Sequence, residues 1–310
     1  YIYKYTQEVL TGYDKTLLFK NLSKQKPLSP GNRGFSFPLI DDAMASYHTP
    51  GTQMEGGQFN NARKYIEIDS MLHSSLYLDE VDKFLIYTNE RMEYSIRQGV
   101  AIATKEDANI AMEYIKGSKA NNLIPGKPGG TVIKSDKFKL DTAVPECAQT
   151  DIEKAKAISG AIFKAAQIMD EKNIPAEGRK AVLRPSEYWV LFNHLDLINQ
   201  WYGGQGSLAE GQLARLAGFD IIRSNNIPKT DTTQSGDAMY DPYHGVDATK
   251  TVALLFRIDG VATVDAKPIH VVTSDEVKFA SEFLSTRLIT GCGWLRPENI
   301  VQLSLDTQTN

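Results

Sequence analysis

Catalysis needs side chains that converge, and few residue combinations in this chain have types and spacings that could supply them. Asp41 with Asp42, and the group Asp79, Glu80 and Asp82, are clustered carboxylates of the kind that hold a hard cation or pass a proton. Neighbours in sequence rarely aim at one atom, so solvated strand or loop ends are expected for both groups. The five histidines, His48, His73, His194, His244 and His270, are scattered without an HExxH pair and are expected to be structural or surface residues. Cys147 and Cys292 stand far apart with no CxxC, so neither a disulfide framework nor a zinc site is indicated, and two reduced thiols are expected. Gly204, Gly206 and Ala209 partly match a dinucleotide loop, but they follow helix-like FNHLDLINQWYGG rather than a strand. The sequence also lacks a P-loop and a GxSxG elbow. The reading is therefore no catalytic residue, no cofactor-binding residue and no metal ligand.

With 310 residues the chain is long enough for one large or two smaller domains with a sizeable core. A formal charge of -4 argues against a dedicated nucleic-acid binder, which would carry a basic excess. No apolar run reaches the eighteen or so residues that cross a bilayer, and no charged-then-apolar leader opens the sequence, so a soluble protein is expected. The first residue, Tyr1, is not methionine, and a preceding segment was either removed or lies upstream of this sequence.

The elements that would position any site read as follows. Residues 7–18, QEVLTGYDKTLL, look helical, and Pro27, Pro30, Gly31 and Gly34 then break regular structure over 19–34, which predicts an extended arm. From Phe35 to Leu78, two strand-like stretches flank a Gly- and Pro-rich tip and predict one long hairpin. On the return arm Tyr65, Glu67, Asp69, Met71 and His73 face one way, and Ile66, Ile68, Ser70 and Leu72 the other. Arms of about twenty residues would make a ribbon roughly 60 Å long. A two-stranded ribbon is marginal alone in water, so it must lie on its own body or on a neighbour.

Residues 88–117 have helical spacing of Met92, Ile96, Val100, Ala103, Ala111, Tyr114 and Ile115, with Gly117 as the predicted stop and a length of about 45 Å. Gly99 lies inside it at a cost of roughly 1 kcal/mol relative to alanine, a sign of close packing or a bend. The IPGKPGGT break at 124–131 marks the main boundary. Beyond it, Thr150 and Glu153 fit a capping box opening a helix to about Glu171, Ala181 to Leu183 read as a strand, and Pro185 suits the first turn of a helix. Ser207 with Glu210 repeats the capping-box pattern ahead of Leu213, Leu216 and Gly218. Strands are predicted at 219–223, 251–257 and 261–264, with the polar 229–247 segment as an exposed loop, after which the chain returns through 269–273.

The run Phe279 to Leu305, FASEFLSTRLITGCGWLRPENIVQLSL, resembles the closing signature of tailed-phage major capsid proteins. Ahead of it, in the order such proteins use, stand the 7–18 helix, FSFPLI at 35–40, YHTPGTQM at 47–54, KYIEID at 64–69, the 88–117 helix, IPAEGRKAVLRPSEYWVLF at 174–192 and GFDIIRSNNIP at 218–228. The set is similar to the major capsid proteins of short-tailed phages of the T-seven type, from about Glu8 to Ser304. The resemblance implies an α+β chain with the Hong Kong 97-type shell fold. It divides into an N-terminal arm (1–31), an extended hairpin loop (32–78), a peripheral domain with a spine helix (79–135 and 266–310) and an axial domain with a central sheet (136–265).

The resemblance further implies self-assembly into hexamers and pentamers of an icosahedral shell around double-stranded DNA, bound without sequence specificity. A scaffolding protein and a portal at one vertex would be partners, the bacterial cytoplasm the place of assembly, and no membrane would be involved. Hairpin residues Phe35, Phe37, Leu39, Tyr47, Met54, Phe59, Tyr65, Ile66 and Ile68 are expected to contact neighbouring subunits. Trp294, Leu295 and Arg296 are expected to anchor the terminal strand against the spine helix. Lys64 stands near Asn60 and Asn61, residue types that cross-link some relatives of this shell fold, but no motif supports that here and assembly is expected to be non-covalent. The alternative with the same architecture is a bacterial nanocompartment shell enclosing a cargo enzyme.

Overall fold

The computed structural model describes residues 2–305 apart from 44, 46, 49, 52, 54–59, 80, 82–87, 139–147, 195–205, 208–211, 214, 238 and 239. In chain order the elements are α1 (Ile2–Thr16), β1 (Lys24–Pro27), β2 (Gly34–Leu39), β3 (Ala62–Glu67), β4 (Leu72–Asp79), α2 (Thr88–Lys119), β5 (Thr131–Ser135) and α3 (Ala148–Glu171). There follow β6 (Arg179–Leu183), α4 (Pro185–Val190), β7 (Gly206–Ser207), β8 (Gln212–Leu213), β9 (Arg215–Leu216), β10 (Phe219–Arg223), β11 (Thr251–Arg257), β12 (Val261–Glu276), β13 (Ser281–Trp294) and β14 (Ile300–Leu305).

The core is organised by β11. Its near-continuous apolar run, TVALLFR, is the pattern of a strand covered on both faces. In the six-stranded sheet β5-β14-β11-β6-β10-β9 it pairs antiparallel with β14 and β6. Ala253 and Leu255 pack with Ile158, Ile162, Ala165 and Met169 of α3. Leu254 and Phe256 face the other way, onto Ile110, Ala111, Tyr114 and Ile115 of α2. The Tyr114 and Phe256 rings stack with centroids 3.9 Å apart. The sheet is thus a layer between the two long helices. Strands β5 and β14, grouped by the sequence with residues 79–135 and 266–310, hydrogen-bond within this same sheet.

Helix α1 lies on α2, burying Tyr5, Val9 and Tyr13. Backbones approach closely at two glycines: a Cβ on Gly99 would stand 2.2 Å from the Val9 carbonyl oxygen, and one on Gly12 would stand 2.5 Å from that of Ile96. Close packing is therefore the reason for Gly99. Gly117 does not stop the helix, which runs to Lys119; a Cβ there would meet Ile300 at 2.6 Å and Trp294 at 3.1 Å.

Past α1, Phe19 is fully buried, and Lys20 reaches Glu106 and Asp265, each at 2.9 Å, and the Tyr13 hydroxyl at 3.0 Å. Asp107 accepts the backbone N–H groups of Leu18 and Lys20. Strand β1 then pairs parallel with β12. The expected outstretched arm is, over these residues, fastened to its own chain, because a buried cation and an apolar anchor hold it there.

The long hairpin is also corrected. Strands β2 and β3 pair over six residues, Gly34↔Glu67 to Leu39↔Ala62. The return arm then leaves its partner, and β4 pairs with β13 in the four-stranded sheet β1-β12-β13-β4. A ribbon that is marginal alone gains its stability by joining β13, whose central position offers a second free edge.

Three local readings give way to tertiary context. Helix α3 opens at Ala148, two residues before the Thr150 cap. The described residues of the Ser207 to Gly218 stretch carry the end of β7, β8 and β9, and Ala217 and Gly218, both with positive φ, make the two-residue turn that reverses β9 into β10. The 229–247 segment is no plain exposed loop, since Thr232, Asp241 and His244 are buried in it. Among the described residues no helix is long and apolar enough to cross a membrane.

Candidate assembly surfaces and the knot beneath the hairpin

Alternation in β2 and β3 divides the hairpin base into an inward and an outward face. Phe37, Leu39 and Ile66 point inward, where they are 3–4% exposed among Ile124, Ala262, Val264 and Leu295. Their expected role at a neighbouring subunit is corrected: burial in their own chain leaves these side chains unavailable to another. Phe35 is half-buried, edge-on to Phe37 at 4.8 Å, with the Lys26 ammonium over its ring. Tyr65 points outward at 54% exposure, Tyr47 is fully exposed and Ile68 is half-buried. Met54 and Phe59 lie outside the described residues.

Residues the sequence did not single out as contacts are exposed as well. Ile40, Met71 and Tyr77 are exposed large apolar side chains, and Tyr77 packs on Phe283 of β13 at 4.7 Å.

The hairpin base rests on β13 through two glycines of the ITGCGW segment. A Cβ on Gly291 would stand 2.2 Å from the Glu67 carbonyl oxygen, and one on Gly293 would stand 3.1 Å from Ile66. Next along the chain, the half-buried Trp294 donates its backbone N–H to Glu113 of α2, and its ring lies under the Lys64 ammonium at 3.8 Å. Leu295 is buried in the inward hairpin cluster, and Arg296 pairs with Glu298 and donates to the Ile40 carbonyl. These three residues therefore touch α2 and the hairpin base together.

Beneath that contact, four residues far apart in sequence meet. His244 places Nδ1 2.9 Å from Glu113 Oε1, and Nε2 2.7 Å from Asp69 Oδ2 and 3.5 Å from Cys292 Sγ. Burial works to lower the proton affinity of His244, but Cys292, Asp69 and Glu113 outweigh it and hold the imidazole above its ordinary value. Burial pushes the Cys292 thiol up to about 12. Asp241 supports the loop by accepting the backbone N–H groups of Tyr243 and His244 while pairing with Lys105 of α2. Spacing could not have revealed this group, because its members come from the segment just after β3, from α2, from the 229–247 segment and from β13.

Among the described residues, the carboxylates noted in the sequence do not form a site of this kind. Asp41 and Asp42 both pair with Lys127, and Asp79 ends β4 in an exposed position. Glu80 and Asp82 lie outside the described residues.

Comparison with known proteins adds an independent line. A family model described as Gp10A-like, major capsid protein, matches residues 36–304. The major capsid protein of Escherichia phage T7 is 22% identical over 310 residues, covering 94% of this chain and 87% of that protein. The capsid structure of cyanophage P-SCSP1u superposes with a TM-score of 0.79 at 28% identity, over 94% of this chain and 89% of that one. The mature capsid of bacteriophage PhiM1 shares the fold with a TM-score of 0.77 at 18% identity, over 94% and 88%.

Proposed function

The chain belongs to the Gp10A-like major capsid protein family, and from that premise we propose how it builds a shell. Its coarse function follows from membership: it is a major capsid protein of a tailed phage, a virion component with the Hong Kong 97-type fold that associates with copies of itself. The single observation that carries this is the family match over residues 36–304. The nanocompartment alternative shares the architecture but is not better supported, since the family model and the curated relatives are phage capsid proteins.

In the finer reading, copies form hexamers and pentamers around a scaffolding protein in the host cytoplasm, enclose double-stranded DNA and meet a portal at one vertex. The hairpin that β2 and β3 begin reaches a neighbour with Phe35, Tyr47, Tyr65 and Ile68, with Met54 and Phe59 nearer its tip. Ile40, Met71 and Tyr77 extend that surface; their exposure supports the assignment. Trp294, Leu295 and Arg296 anchor the chain end against α2 and the hairpin base, a role supported by their contacts there. Residues 79–135 with 266–310 form the peripheral domain and 136–265 the axial domain, β5 and β14 joining the two through the shared sheet. The work is distributed burial and strand pairing between copies, with no catalytic step, and stability becomes inseparable from subunit concentration.

Negative-stain microscopy of the expressed chain, with and without a scaffolding protein, tests this. Closed particles are expected. A chain that stays monomeric under both conditions would sink it.

A further inference from the structure

We propose that Asp69, His244 and Cys292 are a binding site for a divalent zinc-class ion that ties the hairpin base to the body of the subunit. Their ligand atoms lie within 4.8 Å of one another, and the set combines a carboxylate oxygen, an imidazole nitrogen and a sulfur. This mixture of donors suits zinc and cobalt better than the oxygen-seeking calcium or magnesium.

The geometry supports the choice. In a tetrahedral zinc site the nitrogen and sulfur ligands stand about 3.5 Å apart, which matches the 3.5 Å between His244 Nε2 and Cys292 Sγ. The Asp69 oxygen, 2.7 Å from the same nitrogen, must retreat by about 0.5 Å to make room for an ion with bonds near 2 Å. Glu113, on the far side of the ring, takes Nδ1 at 2.9 Å. That bond keeps an Nδ1–H on the Glu113 side, and loss of the Nε2 proton that Asp69 accepts here would free the Nε2 lone pair for the ion, the arrangement a zinc-bound histidine requires. Glu113 is itself held by Lys116 at 3.1 Å and by the Trp294 backbone N–H.

Charge and access agree. A dication with the Asp69 carboxylate and a Cys292 thiolate sums to zero, so the buried site gains no net charge. On binding, the Cys292 thiol proton and the His244 Nε2 proton leave to solvent, and the freed sulfur and nitrogen pairs form metal bonds that replace two bound waters of the hydrated ion. A cavity of about 180 Å³, lined by Asp69, Cys292, Lys105 and Asp241 among others, opens onto two of the three ligands and would provide both the entry path and the fourth position for water. The same shared nitrogen argues against a cysteine nucleophile: Asp69 occupies the Nε2 face that a catalytic imidazole would keep for the thiol. Because the ligands come from the segment just after β3, the 229–247 segment and β13, a bound ion would pin three segments that only the native fold unites.

The test uses the full chain, purified without chelator or metal-affinity tag. Elemental analysis should find about one zinc per chain. Cobalt(II) titrated into chelator-treated protein should give thiolate-to-metal absorption saturating at one ion. The Cys147→Ser variant should keep that absorption and Cys292→Ser should lose it, while Glu113→Gln should bind roughly ten- to a hundredfold more weakly. Chelator should lower the Tm of the parent chain and leave Cys292→Ser unmoved. Absence of thiolate–cobalt absorption in Cys147→Ser overturns the proposal, as does unchanged affinity in Cys292→Ser. Should Cys292→Ser fail to fold, the Cys147→Ser titration decides alone. None of these readouts depends on shell assembly.

Discussion

Two helix glycines in this chain should respond to the same substitution with opposite signs. Gly99, inside α2, faces α1 so closely that a Cβ would lie 2.2 Å from the Val9 carbonyl oxygen and 3.1 Å from the Tyr13 nitrogen. Gly160, inside α3, is exposed, and nothing among the described residues lies within 4 Å of where its Cβ would be. Alanine at either position gains roughly 1 kcal/mol of helix propensity. For Gly160→Ala that gain should appear whole, as a stabilisation of about 1 kcal/mol. For Gly99→Ala the obstructing atoms are backbone and cannot turn aside. The helices must part, loosening Val9 and Tyr13 and the hydrogen bond from the Tyr13 hydroxyl to Glu106. Overpacking of this kind costs about 1–3 kcal/mol, and the lost contacts add to it, so a net destabilisation of about 1–3 kcal/mol is expected after the propensity gain. Denaturant titration reads the global term, and hydrogen exchange of the amides of residues 2–16 reads the local one. Slower exchange in α1 of Gly99→Ala, or equal shifts in the two variants, would refute the close-packing account of Gly99.

Trp294→Ala should cost about 2–3 kcal/mol, below the full burial value because the ring is half-exposed, and should reduce the yield of closed shells; an unchanged Tm would remove the anchor assignment. Tyr65→Ala should leave the stability of the unassembled chain within about 0.5 kcal/mol but lower shell yield in microscopy, and normal yield would take Tyr65 out of the contact surface. Asp220 is held below the usual carboxylate range by hydrogen bonds from Lys180 on β6 and Arg215 on β9. A lowered folded value contributes stability above the ordinary carboxylate range and loses it as pH falls through the folded value. The Tm gap between the parent and Asp220→Asn should therefore be largest near neutrality, close in acid and shrink with salt. A gap that widens on acidification contradicts the assignment.

What was legible in the sequence was what local pattern controls. The apolar run of β11, the helical spacing of α2 and the proline that opens α4 need no knowledge of distant partners, because each element announces which faces it must bury. The ordered motifs, together with the closing signature, likewise carried the family. Elements whose partners lie far away were misjudged. The stretch of β4 reads as a strand, but its partner is β13, some two hundred residues later, so the paired hairpin is shorter than alternation alone predicts. Phe37, Leu39 and Ile66 are as apolar as an interface requires, and only the fold turns them onto Ile124 and Leu295 of their own chain.

Gly291 and Gly293 belong to the recognised signature, but that they seat the hairpin is visible only when Glu67 and Ile66 arrive against them. The same holds for Asp69, Glu113, His244 and Cys292, which read singly as a strand residue, a helix residue, a scattered histidine and a bland thiol. Amino-acid type and periodicity determine what each segment of this protein must hide from water. Which segment hides it, and which polar atoms meet in the process, is decided by long-range closure of the chain, a condition no window of neighbouring residues contains.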